Sequence, residues 1–238
     1  MVGSILPLRL EAAAVRRGGN RLVGPVDLEI AAEGVTIVIG PNGSGKTSLL
    51  RLMHGLERAA EGRVRWAVPE AEARTRQAYV FQNPILMRRH VLGNIAYPLL
   101  VHGVHRAEAR RRAADWAVKV GLGEALERQA SSLSGGERQK LALARALIRQ
   151  PDILFLDEPC ANLDGRATRE IEAILVAARD AGTRIVMATH DMGQARRLAT
   201  EVFFLLQGQV HEAASGHGSL GRLATPEARA FLKGDIVE

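Results

Sequence analysis

Between the apolar run VTIVI, Val35 to Ile39, and an amphipathic stretch beginning at Thr47 lies Gly40-Pro41-Asn42-Gly43-Ser44-Gly45-Lys46-Thr47, and no other segment restricts the fold so tightly. A continuous β-branched run of this length reads as a strand covered on both faces. Leu49, Leu50, Leu52 and Met53 fall on one side of a helix over Thr47 to Leu56. A simple turn needs no such cluster of glycines. Glycine, four residues, glycine, lysine, then serine or threonine is the pattern of a loop that cradles phosphate. Glycine admits the backbone angles that turn successive amides inward, and its missing side chain lets an anion approach closely. The helix beginning near Gly45 adds its partial positive end, and Lys46 supplies a compact charge for the outer phosphates. Thr47 offers a hydroxyl to magnesium, a hard cation that prefers oxygen. The candidate phosphate site is therefore Gly40 to Thr47 with Ser48 beside it.

The other segments place this unit in a larger pattern. LRLEAAAV and VDLEI read as strands joined through Gly18 and Gly19, and RVRW and QAYVFQ as two more. From about Val91 to Arg128 the pattern is helical, with an apolar stripe through Ala113, Trp116, Ala117 and Val120. SGGERQKLALARALIRQ reads as a helix opened by serine and stopped by Pro151. ILFLDE (strand), GRATREIEAILVAARDAG (helix), RIVMATH (strand), MGQARRLA (helix) and EVFFLLQGQVHE (hairpin) follow, and no sizeable regulatory domain is expected beyond them. Strands alternating with helices predict an α/β fold with a largely parallel sheet.

Composition sets the bounds on partners. With 47% hydrophobic and 24% charged residues the chain carries enough apolar matter for a packed core, and 238 residues suit one large domain or a core with a smaller subdomain. A net charge of +6 fits an anionic partner, whether nucleic acid, a phosphate-bearing ligand or a membrane face. The single cysteine, Cys160, allows no intramolecular disulfide and reads as a small buried group. Arg110-Arg111-Arg112 reads as a solvated helix face. No run approaches the roughly 20 apolar residues of a membrane span, so at a membrane another chain would do the spanning.

Hydrolysis of a bound nucleotide needs an acid for magnesium and another group for the attacking water. ILFLDE supplies both at the end of an apolar strand: Asp157 for the ion, Glu158 as general base or water-orienting group.

Leu133-Ser134-Gly135-Gly136-Glu137, lying between the phosphate loop and the acidic strand, resembles the signature of the ATP-binding cassette (ABC) ATPases. Physically it is a second anion site: a hydroxyl, glycine amides and a helix N-terminus. The resemblance implies a single nucleotide-binding domain over 1–238, built on a P-loop NTPase core with a mostly parallel sheet. It adds an N-terminal antiparallel β part and an inserted helical subdomain, residues 83–133, between core segments 1–82 and 134–238. It also implies ATP and magnesium as ligands, and a head-to-tail dimer in which Ser134, Gly135 and Gly136 face the ATP held by the partner. Gln82 in Val80-Phe81-Gln82 matches the glutamine that contacts magnesium and the attacking water. Asp164 matches the aspartate loop that communicates across the dimer, and His190 the histidine that senses the terminal phosphate. The family commonly stacks an aromatic ring on adenine where this chain has Arg17. A guanidinium can stack on a base, or Arg17 can simply be solvated.

The resemblance further implies an ATPase subunit of a membrane importer, working with transmembrane permease subunits and, through them, a solute-binding protein. Such a chain is cytoplasmic and peripheral on the inner face of the cell membrane. Nucleic acid is disfavoured as a partner, because neither a long coiled coil nor zinc ligands accompany the cassette. The chain looks similar to compact oxyanion importers of the tungstate type. The alternative is a soluble ATPase of the same family, for iron–sulfur assembly or DNA maintenance; a non-hydrolysing sensor is disfavoured by the intact Lys46, Asp157, Glu158 and His190. Asn83 to Leu100 carries apolar residues that either grip a short helix of the permease or close the insert's own core.

Overall fold

The computed structural model describes residues 3–216, 218–235 and 237. Among the described residues nine strands run in chain order as β1 (Leu8–Arg17), β2 (Asn20–Ile30), β3 (Val35–Ile39), β4 (Glu61–Arg65), β5 (Gln77–Val80), β6 (Ile153–Asp157), β7 (Arg184–Ala188), β8 (Glu201–Leu206) and β9 (Gln209–Ser215). They form two sheets. The first is antiparallel with order β2-β1-β4, and the second has order β5-β6-β7-β3-β8-β9. All neighbours in the second sheet are parallel except the hairpin β8-β9. Every residue of β3, β6 and β7 is buried, as a strand with helices or a second sheet on both faces requires.

The helices are α1 (Lys46–His54), α2 (Glu70–Ala73), α3 (Val91–Val101), α4 (Arg106–Lys119), α5 (Gly135–Leu147), α6 (Gly165–Asp180), α7 (Met192–Leu198) and α8 (Pro226–Lys233). Leu49, Leu50, Leu52 and Met53 of α1 fill the layer between the two sheets, with Val23, Val26, Phe155 and Val186. On the other face of the central sheet, Leu143 and Leu147 of α5, Ile171 and Leu175 of α6 and Ala195 of α7 cover Ile37, Leu154 and Met187. A third cluster joins Val91, Ile95 and Leu99 of α3 and Ala109, Ala113 and Ala117 of α4 to Leu141, Ala144 and Ile148. The helical segment thus has its own core and shares one face of α5.

Some boundaries differ from the sequence reading. α1 stops at His54 rather than Leu56, because Gly55 takes a left-handed conformation (φ 84°) and caps it. Two elements were not expected. α2 is a single turn, and α8 follows the hairpin, with Thr225 as N-cap, Pro226 in its first turn and Gly234 as left-handed C-cap. Phe231 packs 5.5 Å from Phe204, centroid to centroid, so this last helix belongs to the main core. Arg111 pairs with Glu108 and Asp115, and Arg112 donates to the Ile148 carbonyl, in keeping with a self-compensated helix face.

Candidate functional site

The chain leaves β3 at Gly40 with φ 148°, where a Cβ would lie 2.1 Å from the Leu205 carbonyl oxygen. Gly45 (φ 100°) caps α1, and a Cβ there would meet Val23 Cγ2 at 2.7 Å and the Leu22 carbonyl at 2.8 Å. Only glycine lets the loop curl this tightly against β2 and β8. Inside the curl, Lys46 Nζ donates to the carbonyls of Gly40 and Pro41, both at 2.9 Å. Ser44 Oγ is buried without a partner. Asn42, Gly43, Lys46, Thr47 and Ser48 open onto a cavity of about 520 Å³, the volume class of a small-ligand site.

The metal-side groups meet across the sheet. Thr47 Oγ1 donates to Asp157 Oδ1 at 2.9 Å, and Tyr79 Oη donates to Asp157 Oδ2 at 3.3 Å. Burial pushes the Asp157 carboxyl above its ordinary range, the Thr47 and Tyr79 hydrogen bonds opposing. Burial likewise lowers Lys46, opposed by Glu158 and Asp157. An arriving phosphate would favour the charged lysine and a divalent cation the charged aspartate, so the donor set fits both. Hydroxyl and carboxylate oxygens are what magnesium takes.

Glu158 holds an unusual backbone, φ 46°, with its N–H donated to the Ala188 carbonyl at 3.0 Å. Left-handed conformations in non-glycine residues persist where the surroundings enforce them, and they concentrate at functional sites. Gln82 Nε2 donates to Glu158 Oε2 at 3.2 Å, and His190 Nδ1 lies 3.2 Å from the same oxygen. Gln82, Glu158 and His190 leave the carboxyl ends of three neighbouring strands, β5, β6 and β7. With Gly40, Pro41 and Asn42 they line a second cavity of about 710 Å³ that shares Asn42 and Glu158 with the first.

The remaining sequence candidates lie elsewhere. Ser134 opens α5 with a reciprocal cap: its Oγ accepts from Glu137 N–H at 3.3 Å, and Glu137 Oε2 accepts from Ser134 N–H at 2.8 Å. Ser134 and Gly135 are exposed, and neither they nor Gly136 line the two cavities. Asp164 caps α6, its Oδ1 accepting from Arg166 and Ala167 at 2.9 and 2.8 Å. Arg17 is ion-paired with Glu57, its side chain still largely exposed, while Arg21, ion-paired with Glu61, and Leu22 flank the phosphate loop. Sequence reasoning also missed Tyr79, whose hydroxyl between Ala78 and Val80 was the available signal, and Phe231 to Asp235, which wall the second cavity. The Thr-Pro-Glu start and Lys-Gly end of α8 could have announced that segment.

A further groove lies away from these cavities. Phe81, Ile85, Met87, Tyr97, Val101 and Arg145 line a volume of about 520 Å³. Ile85 is 71% and Tyr97 38% exposed, whereas Val91, Ile95 and Leu99 are buried, so the Asn83 to Leu100 stretch both closes its own core and leaves an apolar surface, which the exposed Val101 extends. Arg145 Nη2 donates to the Ile85 carbonyl at 2.7 Å, and the buried Asn94 binds the Met87 main chain on both sides.

A family model described as ABC transporter matches residues 23–161. The chain is similar to the phosphate import ATP-binding protein PstB 2 of Natronomonas pharaonis, 38% identical over 96% of this chain and 87% of that one. It is equally similar, at 38%, to the tungstate uptake system ATP-binding protein TupC of Peptoclostridium acidaminophilum, over 82% of this chain and 92% of that one. Among solved structures it resembles a dimeric, post-hydrolysis ATP-binding cassette, MJ0796 bound to ADP and Pi, with TM-score 0.77, 26% identity and coverage of 87% of this chain and 98% of that one. A nucleotide-free cassette from an ABC transporter superposes with TM-score 0.83 at 22% identity, over 98% of this chain and all of that one, a likeness of fold.

Proposed function

This chain belongs to the ABC transporter family, and from that premise we propose that it is the ATP-hydrolysing subunit of a membrane importer, acting as a head-to-tail dimer. The observation that carries the reading is the convergence of Gln82 and His190 on one oxygen of Glu158, beside a phosphate loop whose Thr47 is hydrogen-bonded to Asp157. Strand-end carboxylates next to a phosphate cradle are the parts phosphoryl transfer to water requires.

In this reading Gly40 to Ser48 bind the phosphates of ATP through loop amides and Lys46. Thr47, Asp157 and Gln82 would hold magnesium, which when bound would supply positive charge against the transferred group. Glu158 orients and deprotonates the attacking water, while Gln82 and His190 hold its carboxylate in place. Ser134 and Gly135 are exposed and Gly136 half-buried on each copy, placed to meet the ATP of the other, with Asp164 beside them at the interface. ATP then bridges two chains, and loss of the terminal phosphate releases them. The closed state is favoured only by its differential contacts with ATP, which is how hydrolysis moves an attached partner. Most of the rate comes from positioning and fixed dipoles in a closed site.

Among the described residues no helix is long and apolar enough to cross a membrane, so the spans belong to permease subunits. The groove at Ile85, Tyr97 and Val101 suits a short amphipathic helix from such a subunit, with residues 83–133 as the helical lobe between core segments 1–82 and 134–238. The chain would then sit on the cytoplasmic face of the membrane, and a solute-binding protein would act through the permease. Relatives named for phosphate and tungstate support an oxyanion cargo. The deciding experiment is co-purification from solubilised membranes. The parent should bring an integral membrane protein and MgATP-dependent phosphate release, Ile85→Asp should lose the membrane partner, and Glu158→Gln should keep the partner but lose hydrolysis. Recovery of the parent without any integral partner would refute the importer assignment.

A further inference from the structure

The first turn of α7 puts Gln194 where the Glu158–Asp164 loop, the His190 turn and α6 meet. Its side chain is fully buried. The amide nitrogen donates to Cys160 Sγ at 3.1 Å and lies 3.4 Å from Glu172 Oε1 on α6. Glu172, also buried, accepts a bidentate fork from Arg197 at 2.8 and 2.7 Å. The carboxylate dictates the orientation of the amide, since an amide oxygen facing it would set acceptor against acceptor. Gln194 Oε1 is thereby left buried with no donor. A leucine or methionine would fill similar space without stranding a carbonyl oxygen, so packing alone does not account for glutamine here.

Both ends of this bridge lead to the hydrolytic groups. On its own side, Asp191 Oδ1 accepts from Gln194 N–H at 2.9 Å and Thr189 Oγ1 accepts from Asp191 N–H at 3.1 Å, so Gln194 is locked to the turn that presents His190. On the far side, Cys160 sits in the turn that starts at Glu158: Ala161 N–H donates to the Glu158 carbonyl at 3.1 Å and Leu163 N–H to the Cys160 carbonyl at 3.2 Å. Burial raises the Cys160 thiol to about 11, so it remains an uncharged acceptor at neutral pH.

We propose that Gln194 is a positioning residue for hydrolysis: its buried amide ties the Glu158–Asp164 loop to the His190 turn and sets the spacing of Glu158 and His190. The proposal rests on the reading of the site as an ATP hydrolase. Gln194 touches neither the phosphate loop nor the cavities beside it, so its loss should spare ATP binding and slow the chemical step.

The test uses the full-length chain with Gln194→Leu, Cys160→Ala and the double variant. Gln194→Leu should lower kcat about tenfold or more with KM for ATP within about twofold, and in a Glu158→Gln background MgATP should still drive dimerisation. Because both single changes cut the same link, the double variant should be no slower than Gln194→Leu. Should Gln194→Leu fail to fold, Cys160→Ala at its half-buried position carries the same kcat-against-KM comparison. A kcat within about twofold of the parent, or losses that multiply in the double variant, would overturn the proposal. A parent chain that binds ATP without hydrolysing it would overturn the function beneath it, which is a separate result.

Discussion

Acidification should weaken this fold through one imidazole. His54 closes α1 with its ring edge-on to Tyr79 and Phe155, centroids 5.4 and 5.7 Å away. Its Nδ1 is buried with no partner. Burial, helped by the charge on Arg74, lowers its pKa from 6.5 to about 4. The unfolded chain therefore takes up this proton near pH 6.5 while the folded chain resists until about pH 4. In that window the unfolded state binds more protons, so stability falls as pH falls. At about 1.4 kcal/mol per pH unit, the full loss is about 3 kcal/mol, of which about 2 kcal/mol appears between pH 7 and pH 5. Urea unfolding at the two pH values reads it as a midpoint about 1 M lower at pH 5. The control is His54→Phe, which keeps the ring contacts and removes the titration. Whatever its own stability, its change from pH 7 to pH 5 should be smaller than the parent's by about 2 kcal/mol. If parent and variant lose the same amount to within about 0.5 kcal/mol, the buried neutral imidazole is not the cause.

Other consequences can be checked with simpler assays. Gly45→Ala forces a side chain onto φ 100° and against the Leu22 carbonyl, and should cost about 2 kcal/mol or more in thermal unfolding along with measurable ATP affinity. Thr47→Val removes the hydroxyl bonded to Asp157, and should raise the magnesium concentration for half-maximal ATPase by about tenfold with little effect on folding. Ser134→Ala breaks the reciprocal cap with Glu137, which should cost about 1 kcal/mol. In a Glu158→Gln background it should also abolish the MgATP-dependent dimer in size-exclusion chromatography. Because Arg17 is paired with Glu57 while Arg21 flanks the phosphate loop, Arg21→Ala should weaken ATP binding severalfold in equilibrium titration. Arg17→Ala should leave ATP and GTP affinities unchanged.

Local chemistry made much of this protein legible from its residues alone. The glycines at 40 and 45 carry the backbone angles and close approaches that the phosphate loop demands, and the helix behind them buries the four apolar residues its periodicity singled out. Ser134 caps α5 as an opening serine should, and β3, β6 and β7, apolar but for Thr36, Asp157 and Arg184, are buried throughout. Each of these is announced by residue types within a few positions of one another, so sequence suffices to locate it. Strand order does not: β7 and β8 flank β3, and β6 lies beyond β7, although more than a hundred residues separate all three from β3 in the chain. Only that order brings Thr47 to Asp157 and sets Gln82 and His190 on either side of Glu158. The same long-range packing turned Arg17 toward Glu57, drew Tyr79 to the acidic strand, folded α8 against the cavity beside Glu158 and buried Gln194 between two loops. Those outcomes were decided by which surfaces had to be removed from water together. Such burial is a property of the assembled sheet and its layers, and no short stretch of residues encodes it.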